Sequence, residues 1–175
     1  MLILEREQDA LARGARIYGE ISGFGQTCDA HHMSAPRPDG SCVARAMHEA
    51  LQEAELDVSE IDVINAHASA TPLGDVAETL AISAVLGDRV QTVPVIATKG
   101  QHAHALGASG VWEIAVTLCA MRDGVLPRII NCIEAEPLSQ LALVHTQRKA
   151  TIRHALTNSS GFGGINSALA LSAYS

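Results

Sequence analysis

Three clusters of small polar residues, each following an apolar run, carry the side chains able to do chemistry in this chain. They are Asn65-Ala-His-Ala-Ser-Ala-Thr-Pro-Leu-Gly-Asp75, then Thr98-Lys-Gly-Gln-His-Ala-His104 with Ala105-Leu-Gly-Ala108, then Asn158-Ser-Ser-Gly-Phe-Gly-Gly-Ile-Asn166. Sites in α/β sheets lie at strand ends, where loops converge. Any one cluster would be weak evidence of a site, and a lone histidine such as His67 is by itself more often a surface or core residue than a catalytic one. Three such strand-end clusters in one short chain are stronger evidence. Other chemistries fit less well. His102-x-His104 has the spacing of a metal pair, but no third ligand is suitably placed. Gly161-Phe-Gly-Gly164 lacks the dinucleotide-binding spacing and its strand–helix setting, and reads as a tight turn beside a site. Cys28, Cys42, Cys119 and Cys132 contain no CxxC pair, which argues against a redox motif or zinc site. Cys42, near a helix start, and Cys119, among Ile114, Val116, Leu118 and Met121, read as packing residues.

The elements that must position these clusters follow from hydrophobic periodicity. Met1–Glu5 reads as a strand, Arg6–Arg16 as a charged surface connection, and Ile17–Phe24 as a second strand ending in a Gly23-Phe24-Gly25 turn. Cys28–Gly40, with two prolines and paired histidines, reads as an exposed loop. Ser41 is placed to cap a helix over Val43–Ala54, whose Val43, Met47, Ala50, Leu51 and Ala54 share one face. Ile61–Asn65 is a short apolar strand running into His67. Asp75–Leu86 reads as a helix with Asp75 as cap, Glu78 at the capping-box position and Gly87 as stop. Val93–Ala97 is the next strand, and Leu106–Arg122 a long helix whose Gly107, Ala108, Ser109 and Gly110 permit close packing. Ile129–Ile130, Leu141–Val144, Ala155–Asn158 and Ala168–Ser172 are further strand candidates. Alternating strands and helices predict an α/β fold with a parallel or mixed sheet covered by helices. No repeat or linker divides the chain.

Bulk properties narrow the function classes. The 175 residues suffice for one core or a large part of one. A composition 47% hydrophobic and 18% charged is that of a globular chain. A net charge of -7 with 3% aromatics weighs against a nucleic-acid binder. Leu2-Ile3-Leu4 is too short for a signal peptide and is followed by Glu5-Arg6-Glu7. No apolar run reaches membrane-spanning length. The thiols are expected to be free in a reducing compartment.

On its motifs the chain resembles the C-terminal portion of a β-ketoacyl-acyl-carrier-protein synthase of the elongating type, within the thiolase-fold superfamily. That family's Asn-Ala-His-(Gly/Ala)-Thr-Ser-Thr-Pro-x-Gly-Asp motif is matched at 65–75. Its Thr-Lys motif, with a histidine five residues after the lysine, is matched by Lys99 and His104. Its Asn-Ser-Phe-Gly-Phe-Gly-Gly-x-Asn motif is matched at 158–166, and its Asp-Ala-x-His-Met-(Thr/Ser)-x-Pro segment by Asp29–Pro36. The resemblance covers essentially all 175 residues and somewhat under half of the family's usual domain. It implies the C-terminal half of a thiolase-like fold across residues 1–175, with residues 1–40 resembling the end of the N-terminal half. Met1-Leu-Ile-Leu-Glu resembles an internal strand of the family.

The same resemblance implies roles. His67 and His104 would aim ring N–H groups at the thioester carbonyl of a malonyl extender and stabilise the enolate left by loss of CO2. Lys99, held by Glu78, would orient the pair. Ser69 and Thr71 match hydroxyls that bind the phosphopantetheine arm. The Phe162 N–H matches one oxyanion-hole donor, and its side chain the gate over the acyl pocket. Departures stand at Ala103, where the family has glycine, at Gly100-Gln101-His102, at Ser160 for phenylalanine and at Ser69-Ala70 for Thr-Ser. Asn65 before Ala66-His67 favours fatty-acid-type synthases over modular polyketide ones, and Asn158–Asn166 lacks the second cysteine of degradative thiolases. The family's nucleophile, a cysteine at a helix N-terminus, has no match here.

The implied partners are an acyl carrier protein, a cysteine-bearing N-terminal half or subunit, and a second copy in a dimer. The phosphopantetheine arrives on the carrier, so no cofactor or metal of the chain's own is expected. Cytoplasm, or an organelle with type II fatty-acid synthesis, is the implied location. The competing reading is a non-catalytic relative, comparable to the chain-length-factor subunits that pair with ketosynthases, or a degenerate remnant. Retention of both histidines ranks the enzyme reading first. A fold cut mid-domain would expose strand edges and apolar surface, so the chain alone is expected to self-associate.

Overall fold

A computed structural model of the chain describes residues 1–133 and 139–174. Among the described residues the helices are α1 (Glu7–Ala12), α2 (Ser41–Glu53), α3 (Pro72–Leu86), α4 (Lys99–His102) and α5 (Ser109–Asp123). The strands are β1 (Glu20–Cys28), β2 (Val63–Asn65), β3 (Pro94–Ile96), β4 (Val125–Leu126), β5 (Ala142–Leu143), β6 (Arg148–Lys149), β7 (His154–Gly161) and β8 (Ile165–Ser172). Six strands form one sheet in the order β1-β8-β7-β2-β3-β5, and β4 pairs with β6. The pairs among β7, β2, β3 and β5 are parallel, whereas β8 runs antiparallel to both β1 and β7. This is the mixed, helix-covered sheet expected.

Successive residues in the central strands serve two cores, because side chains alternate across a strand. Ile64, Val95, Leu156 and Ala170 face a cluster built with Met47, Leu51, Ile82 and Val85 of α2 and α3. Their neighbours Val63, Ile96, Ala155 and Leu171 face a second cluster with Ala120 and Met121 of α5. The sheet is thus sandwiched, with α2 and α3 on one face and α5 on the other. In consequence the ends of β2 and β3 and the loops after them are fixed from both sides.

Several boundaries differ from expectation, each for a local reason. Met1–Arg6 forms no strand, and the Arg6–Arg16 connection contains α1. Gly23-Phe24-Gly25 is not a turn but lies within β1. The glycines are there because the backbone of α2 rests directly on the strand. A Cβ on Gly23 would lie 2.1 Å from Ala50 O, and one on Gly25 2.0 Å from Ala46 O. Helix α2 begins at Ser41 itself, after Gly40 in a left-handed conformation, and Asp39 Oδ1 accepts from the Ser41 amide and hydroxyl. Helix α3 begins three residues before Asp75, at Pro72, which has no N–H to leave unpaired. Asp75 is therefore not its cap and Glu78 is not a capping-box residue. Ile129–Ile130 forms no strand, although Ile129 N donates to Val144 O. Gly161–Gly164 is the tight turn expected, at the tip of the β7–β8 hairpin, where Gly161 pairs with Ile165.

A groove of about 920 Å³ lies between the N-terminal segment and α5, lined in part by Leu2, Leu4, Ile17, Leu118 and Cys119. It borders the start of β1, opposite the end where the polar clusters meet. Outside the sandwich, Trp112 and Val111 of α5 and the N-terminal Met1, Ile3 and Leu4 are exposed.

The close approach of α2 to β1 makes a specific demand. Gly25→Ala should lower the stability of the chain by roughly 1–3 kcal/mol or more, read from urea unfolding. Gly107→Ala, where a Cβ meets nothing within 4 Å, should change it by less than about 0.5 kcal/mol.

Candidate active site

The parallel strands β2, β3 and β7 deliver the three polar clusters to one edge of the sheet. Asn65 ends β2 opposite Ile96 at the end of β3 and Thr157 in β7. His67 lies two residues beyond β2. Lys99 opens α4, three residues beyond β3, and His104 follows α4 by two residues. The rings of His67 and His104 meet edge to face, with centroids 5.4 Å apart at 81°. His67 is half-buried and His104 is exposed.

Beneath His67 is a buried ion pair. Lys99, 7% exposed, bonds to the carboxylate of Glu113, which is 0% exposed, and to the carbonyl of His67. Its third donor lies 3.3 Å from His67 Nδ1. An ammonium has only donors, so Nδ1 accepts and the proton of a neutral His67 sits on Nε2. Burial, then the Lys99 charge, then His104 depress the His67 pKa to about 4. Burial pushes the Glu113 carboxyl up, and the Lys99 hydrogen bond and charge oppose this. Ser159 donates to the other Glu113 oxygen at 3.2 Å.

The expected Lys99–Glu78 pairing is therefore corrected: the lysine's carboxylate is Glu113. Glu78 does something else. Its oxygens accept from the backbone N–H groups of His67 and Ala68, both at 2.7 Å, and from Asn158 Nδ2 at 2.6 Å. One carboxylate of α3 thus ties the loop after β2 to strand β7. Burial raises the Glu78 pKa, and those three hydrogen bonds pull against it. Asn65 completes the frame by donating to Glu113 O at 3.1 Å and Thr117 Oγ1 at 3.0 Å. Asn65 Oδ1, Thr157 Oγ1 and Asn158 Oδ1, on the adjacent strands β2 and β7, are buried without a hydrogen-bond partner among the described residues.

His104 is oriented independently. Its Nδ1 accepts from Leu106 N–H at 3.1 Å and lies 2.8 Å from Ser109 Oγ. The backbone N–H can only donate, so Nδ1 is unprotonated and the Ser109 hydroxyl donates to it as well. Ser109 is 2% exposed. Both rings therefore present Nε2–H.

Backbone strain concentrates here. Ala68, Ala70, Ala103 and Leu106, all flanking the two histidines, have positive φ angles of 41°, 59°, 65° and 51°. Such conformations cost about 1–3 kcal/mol each in a residue with a Cβ. Glu78 offsets part of this at Ala68, and Asp75 Oδ1 does so at Ala70, accepting its N–H at 3.1 Å.

The remaining expected residues occupy the rim. Ser69 and Thr71 hydroxyls bond to each other at 3.1 Å. Phe162 stands 82% exposed at the hairpin tip, which Gly163 N and Asp29 N anchor through Met33 O and Gly164 O. His102 is stacked on Trp112 rather than aimed with His104, and among the described residues no group of three or more His, Cys, Asp or Glu side chains fits a metal ion. Cys42 is buried in α2. Sequence reading missed Glu113 and Ser109. A usable signal was present: Ser109, Glu113 and Thr117 recur every four residues in a stretch of α5 that is otherwise apolar up to Met121, and all three are buried.

A family model described as "Beta-ketoacyl synthase, C-terminal domain" matches residues 18–133. The chain is 43% identical over 175 residues to 3-oxoacyl-[acyl-carrier-protein] synthase 2 of Synechocystis sp., covering 99% of this chain and 42% of that protein. It superposes on a type II polyketide ketosynthase solved in complex with its acyl-carrier protein, with a TM-score of 0.93 and 31% identity, covering 98% of this chain and 42% of that one. A β-ketoacyl synthase from Burkholderia phymatum gives a TM-score of 0.91 at 35% identity, over 98% and 41% of the two chains. The chain thus spans about two fifths of the length of its relatives.

The electrostatics of His67 are directly measurable. Its ring resonance should titrate with a midpoint of about 4, and Lys99→Met should move that midpoint up toward the ordinary 6.5. Because folding depresses this pKa, the unfolded chain binds the extra proton first. Stability should therefore fall as pH drops from about 6.5 through about 4.

Proposed function

The chain belongs to the β-ketoacyl synthase family through that family's C-terminal domain, and from this premise we propose that it carries the decarboxylation half of a decarboxylative Claisen condensation. The substrates would be acyl and malonyl thioesters on an acyl carrier protein, in fatty-acid-type synthesis. The observation that carries the reading is the edge-to-face His67–His104 pair with both Nδ1 atoms engaged as acceptors. That leaves two Nε2–H donors for one thioester carbonyl oxygen.

As CO2 leaves the malonyl group, its bonding pair moves onto the thioester as an enolate, and negative charge grows on that oxygen. Two preoriented neutral donors lower the energy of this charge without having to reorganise. The depressed pKa of His67 keeps it neutral at physiological pH, so it donates one N–H in a fixed direction. Lys99, with Glu113 behind it, holds that direction, and Glu78 holds the backbone that presents the ring. The enolate carbon then attacks the carbonyl of an acyl thioester, which in this reading sits on a cysteine in the remainder of the enzyme. The acyl C–S bond breaks, the cysteine leaves as its thiolate, and the β-ketoacyl product stays on the carrier. The Phe162 N–H would supply one donor of the oxyanion hole for that step, and its side chain would gate the acyl pocket. The exposed Ser69 and Thr71 hydroxyls would bind the phosphopantetheine arm that the carrier brings. Cytoplasm or an organelle with type II fatty-acid synthesis, and a dimeric assembly, complete the proposal.

The decisive assay uses the chain joined to, or paired with, a cysteine-bearing half, and follows both CO2 release from malonyl-carrier protein and formation of the β-ketoacyl product. His67→Ala and His104→Ala should each reduce decarboxylation by about 10²–10³-fold, the usual worth of one oxyanion donor. Undiminished turnover in both variants would instead identify the chain as a non-catalytic partner, comparable to a chain-length factor.

A further inference from the structure

His104 reaches the site across a strained peptide, and the residues holding that peptide are not among those assigned above. Ala103 has φ 65° and ψ 175°, a region that is essentially glycine's. Relaxation toward ordinary alanine angles would swing His104, the next residue, away from His67. The neighbouring His102 is placed to prevent this. Its Nδ1 lies 2.8 Å from the carbonyl oxygen of Ala103, and its Nε2 lies 3.0 Å from Thr98 Oγ1. A carbonyl only accepts, so Nδ1 carries the proton and Nε2 accepts from the threonine hydroxyl. Thr98 is 1% exposed and cannot follow the ring outward. The outer face of the ring is covered by Trp112 of α5, stacked at 5.5 Å and 20°. Trp112 immediately precedes Glu113, so the stack joins the turn to the helix that already holds Lys99.

We propose that His102, clamped between Thr98 and Trp112, is a positioning residue that holds the Ala103 peptide in its strained conformation and so aims His104. The hydrogen bond to the Ala103 carbonyl fixes where that peptide lies relative to residue 102, and so constrains φ and ψ of Ala103 together, the two torsions that direct the following chain. The inference rests on His104 being a donor to substrate, but the clamp itself is observable without turnover.

The test is a cycle of His102→Ala, Ala103→Gly and the double variant. Glycine occupies these angles without penalty, so His102 should matter only while position 103 is alanine. In the assembled enzyme, His102→Ala should lower kcat for malonyl decarboxylation roughly tenfold with KM within about twofold. In the Ala103→Gly background the same change should cost less than about threefold. Trp112 is the chain's single tryptophan, so its emission reports loss of the stack in both backgrounds. The His104 ring resonance of the chain alone should shift in His102→Ala and return in the double variant. That readout stands even if the assembled enzyme proves inert, which would count against the proposed function only. Equal losses in both backgrounds, unfolding of both His102 variants, or an unmoved His104 resonance despite altered Trp112 emission would each overturn the clamp.

Discussion

The buried pair between Lys99 and Glu113 is the contact on which the rest of the site depends. A lysine and a glutamate withdrawn from water lose several kcal/mol of hydration each, and removing one partner alone costs about 3–5 kcal/mol. Such a pair persists when every donor and acceptor is used. Lys99 uses its three on Glu113, the His67 carbonyl and His67 Nδ1. One cation thereby fixes a backbone, a ring and a tautomer. It also keeps the ring neutral, since a second positive charge beside Lys99 is unfavourable. Lys99 thus serves both the geometry and the electrostatics at His67, adding to the burial that is the larger reason the ring stays neutral.

Around this pair, two of the helices that cover the sheet send polar side chains to the strand ends. Helix α3 sends Glu78 to the His67 and Ala68 amides, while α5 sends Glu113 to Lys99 and Ser109 to His104. The apolar faces of the same helices are in the two cores, so the site inherits the rigidity of the sandwich. This explains how four non-glycine residues with positive φ persist beside the histidines. The strain is local, and the hydrogen bonds opposing it are anchored in elements that cannot move separately.

Much of this was legible in the chain itself. Motif spacing placed His67, Lys99 and His104 at strand ends, and the alternation of strand and helix gave the mixed sheet. Two kinds of error remained. The first concerned glycines: Gly23 and Gly25 read as a turn because local propensity cannot register a helix backbone packed on the strand from the other side. The second concerned partners. Glu78 lies closer in sequence to His67 than Glu113 does, and its position in α3 resembled both a cap and a lysine partner. Which carboxylate reaches Lys99 depends on how α5 crosses the sheet, and that is a tertiary fact. Ala103 likewise showed in sequence only as a departure from the family's glycine, and the support proposed for it from His102 and Trp112 involves a contact across ten residues of chain.

The central claim is that two neutral imidazoles, each with its proton on Nε2, are held side by side. Long-range ¹H–¹⁵N correlation spectra of the histidine rings at neutral pH read this directly. His67 and His104 should each show a protonated Nε2 and an unprotonated, hydrogen-bonded Nδ1. A protonated Nδ1 on either ring, or a charged imidazolium at His67, would contradict the account.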